Sequence, residues 1–209
     1  MLKSSSPPTI EKLSIKLGML FSKIPISANA WTLLSVVPAL LGFVSLLYKQ
    51  MLYALILFAI SALMDAIDGS VARVTGTVTN LGAYLDGMMD RIVEGLLIFG
   101  LMFMGLPDLT ISKYSIASEL LLALLVFIGT AMVSYSRAYA NYKRVIKNEK
   151  ALKEMGGLFE RPERLLLIFI GMASYFIAPI YLTYAILVSL ILSIVTLLQR
   201  VWFVVKNAE

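Results

Sequence analysis

The feature that most limits what this chain can fold into is a set of long apolar runs. Ala30–Tyr48 contains no charged residue, and a helix of about 20 apolar residues crosses the hydrocarbon core of a bilayer. Five further apolar runs follow, at Met51–Met64, Ile92–Leu106, Leu120–Ser136, Leu165–Ala178 and Ile180–Leu198. Hydrophobic residues make up 59% of the chain and charged residues 15%, against about 45–50% and about 25% in an average globular chain. We therefore predict an all-α integral membrane protein with six transmembrane helices.

The segment before the first span has a different pattern. Ile10, Leu13, Leu17 and Leu20 recur at helical spacing among charged residues, which predicts an amphipathic helix lying in the membrane interface. We accordingly expect residues 1–28 to form a cytoplasmic N-terminus with this interfacial helix. Residues 29–206 then form the six-helix transmembrane domain.

The basic residues predict the orientation of the chain. With the N-terminus in the cytoplasm, only Lys49 and Lys113 of the 18 basic residues lie on the opposite side, as the positive-inside rule requires. Both termini are thus expected in the cytoplasm. Because the basic residues flank membrane spans, we expect lipids as partners and no nucleic acid.

Missing residue types narrow the chemistry further. The chain has no Cys and no His, which excludes disulfides, Cys nucleophiles, Ser-His-Asp triads and His-ligated zinc or haem. Acid–base or metal chemistry must then come from carboxylates, Lys or Tyr.

Four aspartates lie close together in the sequence. Asp65 and Asp68 are three residues apart, and Asp86 and Asp90 are four apart, so each pair occupies one helix face. Two antiparallel helices joined by the short connection 74–80 would bring the two faces together. Four carboxylates cannot all stay ionised without compensation, and hard divalent cations with oxygen ligands would provide it. A buried ion-pair cluster or a proton path in a small transporter is the alternative.

These residues belong to a longer pattern. Asp65-Ala-Ile-Asp68-Gly69-Ser-Val-Ala72-Arg73, eight further residues and Gly82-Ala-Tyr-Leu-Asp86-Gly-Met-Met-Asp90 resemble the signature DxxDGxxAR(x8)GxxxDxxxD of the CDP-alcohol phosphotransferases. Asn29 and Thr32 resemble the family's Pro-Asn-x-x-Thr entry to the first span, with Ala28 in place of the proline.

The resemblance implies a reaction and a set of roles. Asp65, Asp68, Asp86 and Asp90 would ligate two Mg²⁺ ions, or Mn²⁺. The CDP-lipid would bind to Asn29, Thr32, Asp68, Gly69, Ala72 and Arg73. Asp90 would also deprotonate the acceptor hydroxyl, which attacks the β-phosphorus and expels CMP. The resemblance further implies a homodimer that works in phospholipid biosynthesis.

The acceptor is indicated by a second group of segments. Glu160-Arg-Pro-Glu-Arg164, Ser134-Tyr-Ser-Arg137 and Gln199-Arg200 resemble family members that use inositol phosphate. Arg137, Arg161, Arg164 and Arg200 are therefore expected to bind the phosphate of myo-inositol 1-phosphate, with CDP-diacylglycerol or CDP-archaeol as donor. Tyr139 stands where such relatives commonly have a basic residue. Glycerol 3-phosphate remains the alternative acceptor, and a carboxylate-based ion or proton-coupled transporter the alternative class of protein.

Overall fold

The structure is a computed structural model that describes residues 8–146 and 155–208. Within these residues the chain is mostly helical, and its contacts divide it into two compact units, one ending at Gly100 and one beginning at Leu101. Lys147, Lys150 and Lys153, which contribute to the predicted charge asymmetry, lie outside the described residues, as does Lys3.

The first unit is built from helices α1 (Pro8–Phe21), α2 (Ala28–Leu47), α3 (Met51–Thr75) and α4 (Asn80–Met102), the last of which ends just past the boundary. The Ser27 side chain caps α2 by accepting the Ala30 N–H at 3.3 Å. A tight turn in which Lys49 has a φ of 58° joins α2 to α3. The two helices pack closely, and Ser61 Oγ donates to the Ser35 carbonyl at 2.7 Å.

Helix α1 lies in the segment where the sequence predicts an amphipathic helix, and it packs against α3. The contact depends on Gly18, because a Cβ at this position would lie 2.5 Å from the Ser70 carbonyl oxygen. Leu17 is half-buried and Leu20 is exposed, whereas the side chains of Ile10 and Leu13 lie outside the described residues. The interfacial position of α1 stays a prediction.

The second unit begins with a feature that the all-α prediction missed. Strands β1 (Leu109–Ile111) and β2 (Tyr114–Ile116) pair antiparallel inside the segment expected to be a simple turn. Asp108 Oδ1 accepts the Ser118 N–H at 3.1 Å, and Ser118 Oγ donates to the Leu106 carbonyl at 3.0 Å. These bonds attach the hairpin to the helix that follows.

The helices of the second unit are α5 (Ser118–Leu124), a π-helical segment (Leu125–Met132), α6 (Val133–Tyr142), α7 (Arg161–Ser174) and α8 (Ile180–Lys206). Helix α5, the π-helical segment and α6 run on without a break. Helix α7 begins with Pro162 in its first turn, as expected for a residue without a backbone donor.

Within residues 8–146 and 155–208, four segments are long and apolar enough to cross a membrane: Ala28–Leu47, Met51–Thr75, Ser118–Tyr142 and Ile180–Lys206. The other two predicted spans, α4 and α7, are not among these four segments because of their charge and length. Helix α4 carries four charged residues, Asp86, Asp90, Arg91 and Glu94, and α7 has 14 residues. The described residues therefore form a multi-pass helical protein.

The contact between α1 and α3 yields a stability prediction. We expect Gly18→Ala to destabilise the protein by about 1–3 kcal/mol, because the added methyl meets backbone and α1 must move away from α3. Gly95→Ala is the matched control, since nothing lies within 4 Å of a Cβ there and Ala favours the helix by about 1 kcal/mol. Thermal unfolding in detergent measures both, and a Gly18→Ala variant as stable as Gly95→Ala would contradict the packing.

Candidate active site

Three of the four clustered aspartates lie close together in the first unit. Asp65 and Asp68 come from α3 and Asp86 from α4, and one carboxylate oxygen from each lies within 4.8 Å of the other two. Asp68 is 4% exposed, and the other two are half-buried. The predicted meeting of the two acidic helix faces is therefore present for these three residues.

The residues fit a divalent cation. Asp68 Oδ2 is buried and has no hydrogen-bond partner among residues 8–146 and 155–208. A buried acceptor without a donor is costly, and three carboxylates at this spacing repel one another. A hard cation that takes oxygen ligands would remove both costs.

An open cavity of about 550 Å³ lies beside this acidic group. Its lining contains seven residues that the sequence assigned to the donor or the metal: Asn29, Thr32, Asp68, Gly69, Ala72, Arg73 and Asp86. Side chains from α2, α3 and α4 thus converge on one space.

Two glycines, Gly69 and Gly82, line the cavity. A Cβ at Gly69 would lie 3.6 Å from Arg73 Nη1, an ordinary contact, so this glycine is not required by packing. A Cβ at Gly82 would lie 2.9 Å from Asn29 Oδ1, so that glycine allows the start of α4 to approach the start of α2. Arg73 is held from its own helix, where Nη2 donates to Ser70 Oγ at 3.3 Å.

The loop between α3 and α4 contributes residues that sequence reasoning missed. Gly76 ends α3 with a φ of 67°, which a residue with a side chain rarely adopts. Thr79 Oγ1 accepts the Gly82 N–H at 3.0 Å and caps α4. Thr77 and Thr79 line both this cavity and a neighbouring one of about 650 Å³. The sequence signal that could have identified them is the run of threonines before α4, since Thr is a common N-cap residue.

Asp90 is placed differently from the other three. Its Oδ2 pairs with Arg91 Nη1 at 3.2 Å, and Arg91 Nη1 also donates to the Gly87 carbonyl at 3.1 Å. The group of three carboxylates does not include Asp90. The structure therefore brings Asp65, Asp68 and Asp86 together, and it places Asp90 one turn further along α4.

The second unit contains the four predicted acceptor arginines. Arg200 on α8 is 5% exposed; its Nη1 donates to the Val133 carbonyl, and its Nη2 pairs with Glu160 Oε1 at 3.2 Å. Arg137 and Arg164 lie within electrostatic range of the Arg200 guanidinium. The arginines thus surround the start of α7.

The arginines of this group differ in how far their side chains are exposed to solvent. Arg164 is 2% exposed, and a Cβ at Gly129 in the π-helical segment would lie 3.4 Å from its Cδ. Arg161, at the start of α7, is half-buried, and Arg137 is exposed. Of the two arginines in this motif, Arg161 is the more accessible to a ligand.

Tyr139, the departure from the expected pattern, lies in an aromatic row on α6. Its ring stacks on Tyr135 at a centroid distance of 5.0 Å and on Tyr142 at 6.4 Å. Lys143 Nζ lies 5.6 Å from the centroid of the Tyr139 ring. A lysine one turn along the helix thus brings a positive charge close to the position of the missing basic residue.

The fold and the acidic cavity define a class: a multi-pass membrane protein with a polar ligand site and a group of carboxylates that can bind a cation. The family model for CDP-alcohol phosphatidyltransferase matches residues 25–205. The chain therefore belongs to the CDP-alcohol phosphatidyltransferase family and is an enzyme of that class, as the signature predicts.

Individual relatives agree with this assignment. The archaetidylinositol phosphate synthase of Pyrococcus horikoshii is 31% identical over 97% of this chain and 96% of its own length. The structure of Mycobacterium tuberculosis phosphatidylinositol phosphate synthase with CDP-DAG bound has a TM-score of 0.74 and 22% identity, covering 92% of this chain and 94% of that one. The same enzyme in complex with manganese and citrate has a TM-score of 0.74 and 22% identity, covering 93% and 90%. The fold is therefore shared with these membrane enzymes.

The carboxylate group predicts a specific response to cations. In wild type we expect Mg²⁺ or Mn²⁺ to raise the melting temperature, since a ligand of the native state stabilises it. Asp68→Asn should lose most of this increase. In EDTA the same variant should be at least as stable as wild type, because one repulsive charge is gone.

Thermal unfolding in detergent, with EDTA or with increasing cation, measures both effects. Glu119→Gln, on the exposed surface of α5, is the matched control for loss of one carboxylate. An Asp68→Asn variant with the wild-type cation response would exclude Asp68 as a ligand.

Proposed function

We propose that this enzyme transfers a phosphatidyl or archaetidyl group from a CDP-lipid to myo-inositol 1-phosphate and releases CMP. The observation that carries the proposal is the cavity of the first unit, because all six residues assigned to the CDP-lipid line it: Asn29, Thr32, Asp68, Gly69, Ala72 and Arg73. The exposed Arg73 guanidinium can bind a diphosphate oxygen. Gly69 and Ala72 leave room for the nucleotide.

Asp65, Asp68, Asp86 and Asp90 would hold two Mg²⁺ ions, for which Mn²⁺ can substitute. When bound, such ions neutralise the diphosphate and stabilise the leaving group. The support for this proposal is the group of three carboxylates and the buried Asp68 oxygen without a donor.

We assign the general base to Asp90. Its carboxylate would take the proton of the acceptor hydroxyl while the hydroxyl oxygen bonds to the β-phosphorus and the bond to CMP breaks. The chain has no histidine, so a carboxylate is the available base.

The acceptor's phosphate would bind to Arg137, Arg161, Arg164 and Arg200. A phosphate monoester carries nearly two negative charges at pH 7, and guanidinium groups match its oxygens in pairs. The name of the Pyrococcus horikoshii relative also supports an inositol phosphate acceptor.

In the membrane, we propose six spans formed by α2, α3, α4, the continuous α5–α6 segment, α7 and α8, within a transmembrane domain of residues 29–206. Residues 1–28 would form the N-terminal region, with α1 in the interface. Both termini and the active site would face the cytoplasm, as the charge asymmetry indicates. The family resemblance further supports a homodimer.

The choice of acceptor is tested by CMP release. Purified enzyme with Mg²⁺ and either CDP-diacylglycerol or CDP-archaeol is incubated with myo-inositol 1-phosphate, glycerol 3-phosphate or unphosphorylated myo-inositol. We expect release with inositol 1-phosphate only, because unphosphorylated inositol lacks the anion that the arginine group binds and glycerol 3-phosphate lacks the inositol ring of the proposed acceptor. CMP release with glycerol 3-phosphate alone would show that glycerol 3-phosphate, and not inositol 1-phosphate, is the acceptor. Ion flux in liposomes without any CMP release would support the transporter instead.

The role of Asp90 is tested by Asp90→Asn. We expect turnover to fall by about 10²–10⁴-fold, the usual contribution of a general base, while CDP-lipid binding stays close to wild type. Steady-state CMP release and equilibrium binding of the donor separate the two effects. Near-normal turnover in Asp90→Asn would remove Asp90 as the base.

A further inference from the structure

The buried guanidinium of Arg200 is only partly satisfied. Nη1 donates to the Val133 carbonyl and Nη2 to Glu160 Oε1, but Nε is buried with no hydrogen-bond partner in the described part of the chain. In arginine, Nε and Nη2 form one edge that suits two oxygens of an anion. Glu160 therefore fills half of a two-oxygen site.

The backbone around Glu160 is held by contacts that do not involve its carboxylate. The Leu158 N–H donates to Gln199 Oε1 at 2.9 Å, and the Phe159 N–H donates to Thr196 Oγ1 at 3.0 Å. Gly157 packs so closely on α8 that a Cβ there would lie 2.2 Å from Thr196 Cγ2. Since these bonds fix the segment to α8, the Glu160 carboxylate can move while its backbone stays in place.

The carboxylate also has an alternative environment. Glu160 and Glu163 form a reciprocal capping box at the start of α7, in which the Glu160 N–H donates to Glu163 Oε2 at 3.2 Å. The Glu160 side chain is 25% exposed. On leaving Arg200, the carboxylate therefore keeps the helix N-terminus and water as partners.

We propose that Glu160 is an internal competitor for the acceptor's phosphate: its carboxylate occupies Arg200 in the resting enzyme and is displaced when the phosphate monoester binds. This inference rests on the proposed inositol phosphate acceptor. A phosphate offers oxygens to both Nε and Nη2, and its greater negative charge is favoured by Arg137 and Arg164 nearby. Glu160 thereby makes the site selective for anions of more than one negative charge. An anion of single charge would gain too little electrostatic stabilisation from the arginines to displace the Glu160 carboxylate.

The experiment uses the full-length protein in detergent, with EDTA and without CDP-lipid, and inorganic phosphate as the probe. Isothermal titration calorimetry measures the phosphate dissociation constant. We expect Glu160→Gln to bind phosphate about tenfold more tightly, because the charged partner that competes for Arg200 is gone. In turnover assays the same variant should lower the KM for inositol 1-phosphate and leave the KM for CDP-lipid unchanged.

Glu163→Gln is the matched control, since it removes the same charge from the same helix turn and, like Glu160→Gln, keeps a side-chain oxygen that can accept in the capping box. We expect its phosphate affinity to stay near wild type. In an Arg200→Gln background, Glu160→Gln should give no further gain, as a double-mutant cycle would show.

Unchanged or weaker phosphate binding in Glu160→Gln would overturn the proposal. An equal gain in Glu163→Gln would also overturn it, because the effect would then be one of overall charge. Phosphate binding is measured without donor or inositol, so a failed acceptor assignment appears separately, in the CMP-release assay.

Discussion

Mutual repulsion among three carboxylates is the constraint on which the first unit depends. One carboxylate oxygen from each of Asp65, Asp68 and Asp86 lies within 4.8 Å of the other two, and Asp68 is buried, where an ionised group is costly. Packing alone would favour apolar residues at these positions. A divalent cation held by the three carboxylates would offset their repulsion.

The surrounding structure holds this repulsive group in place from several sides. Ser27 fixes the start of α2, and Thr79 fixes the start of α4. Gly18 lets α1 pack directly on the α3 backbone at Ser70, two residues after Asp68. Helix caps and close glycine contacts therefore stabilise the unit independently of the carboxylates.

The second unit has the opposite problem, an excess of positive charge. Four arginines occur near the start of α7 and the facing parts of α6 and α8, and Arg164 and Arg200 are buried. Glu160 provides a negative charge within this group, and the Val133 carbonyl provides an acceptor. Burying unpaired guanidinium groups would be costly, so a counter-ion inside the chain is required whenever no anionic substrate is bound.

The sequence predicted these features to the extent that they depend on short-range periodicity. Three- and four-residue spacing places Asp65 beside Asp68, and a short connection brings Asp86 to them. The position of Asp90 was not predictable in this way, because its neighbour Arg91 competes for the carboxylate through a contact that depends on rotamers. The β1–β2 hairpin was missed because strands of three residues have no detectable pattern.

Glu160 illustrates the same limit more clearly. In the sequence it belongs to an arginine-rich motif, and in the structure it is the N-cap residue of α7. Its second role depends on α8, since the pairing with Arg200 joins residues 40 positions apart. Local signals cannot report such a contact. A residue that caps a helix and neutralises a buried arginine can release one partner while keeping the other, and this makes Glu160 suited to exchange with a substrate anion.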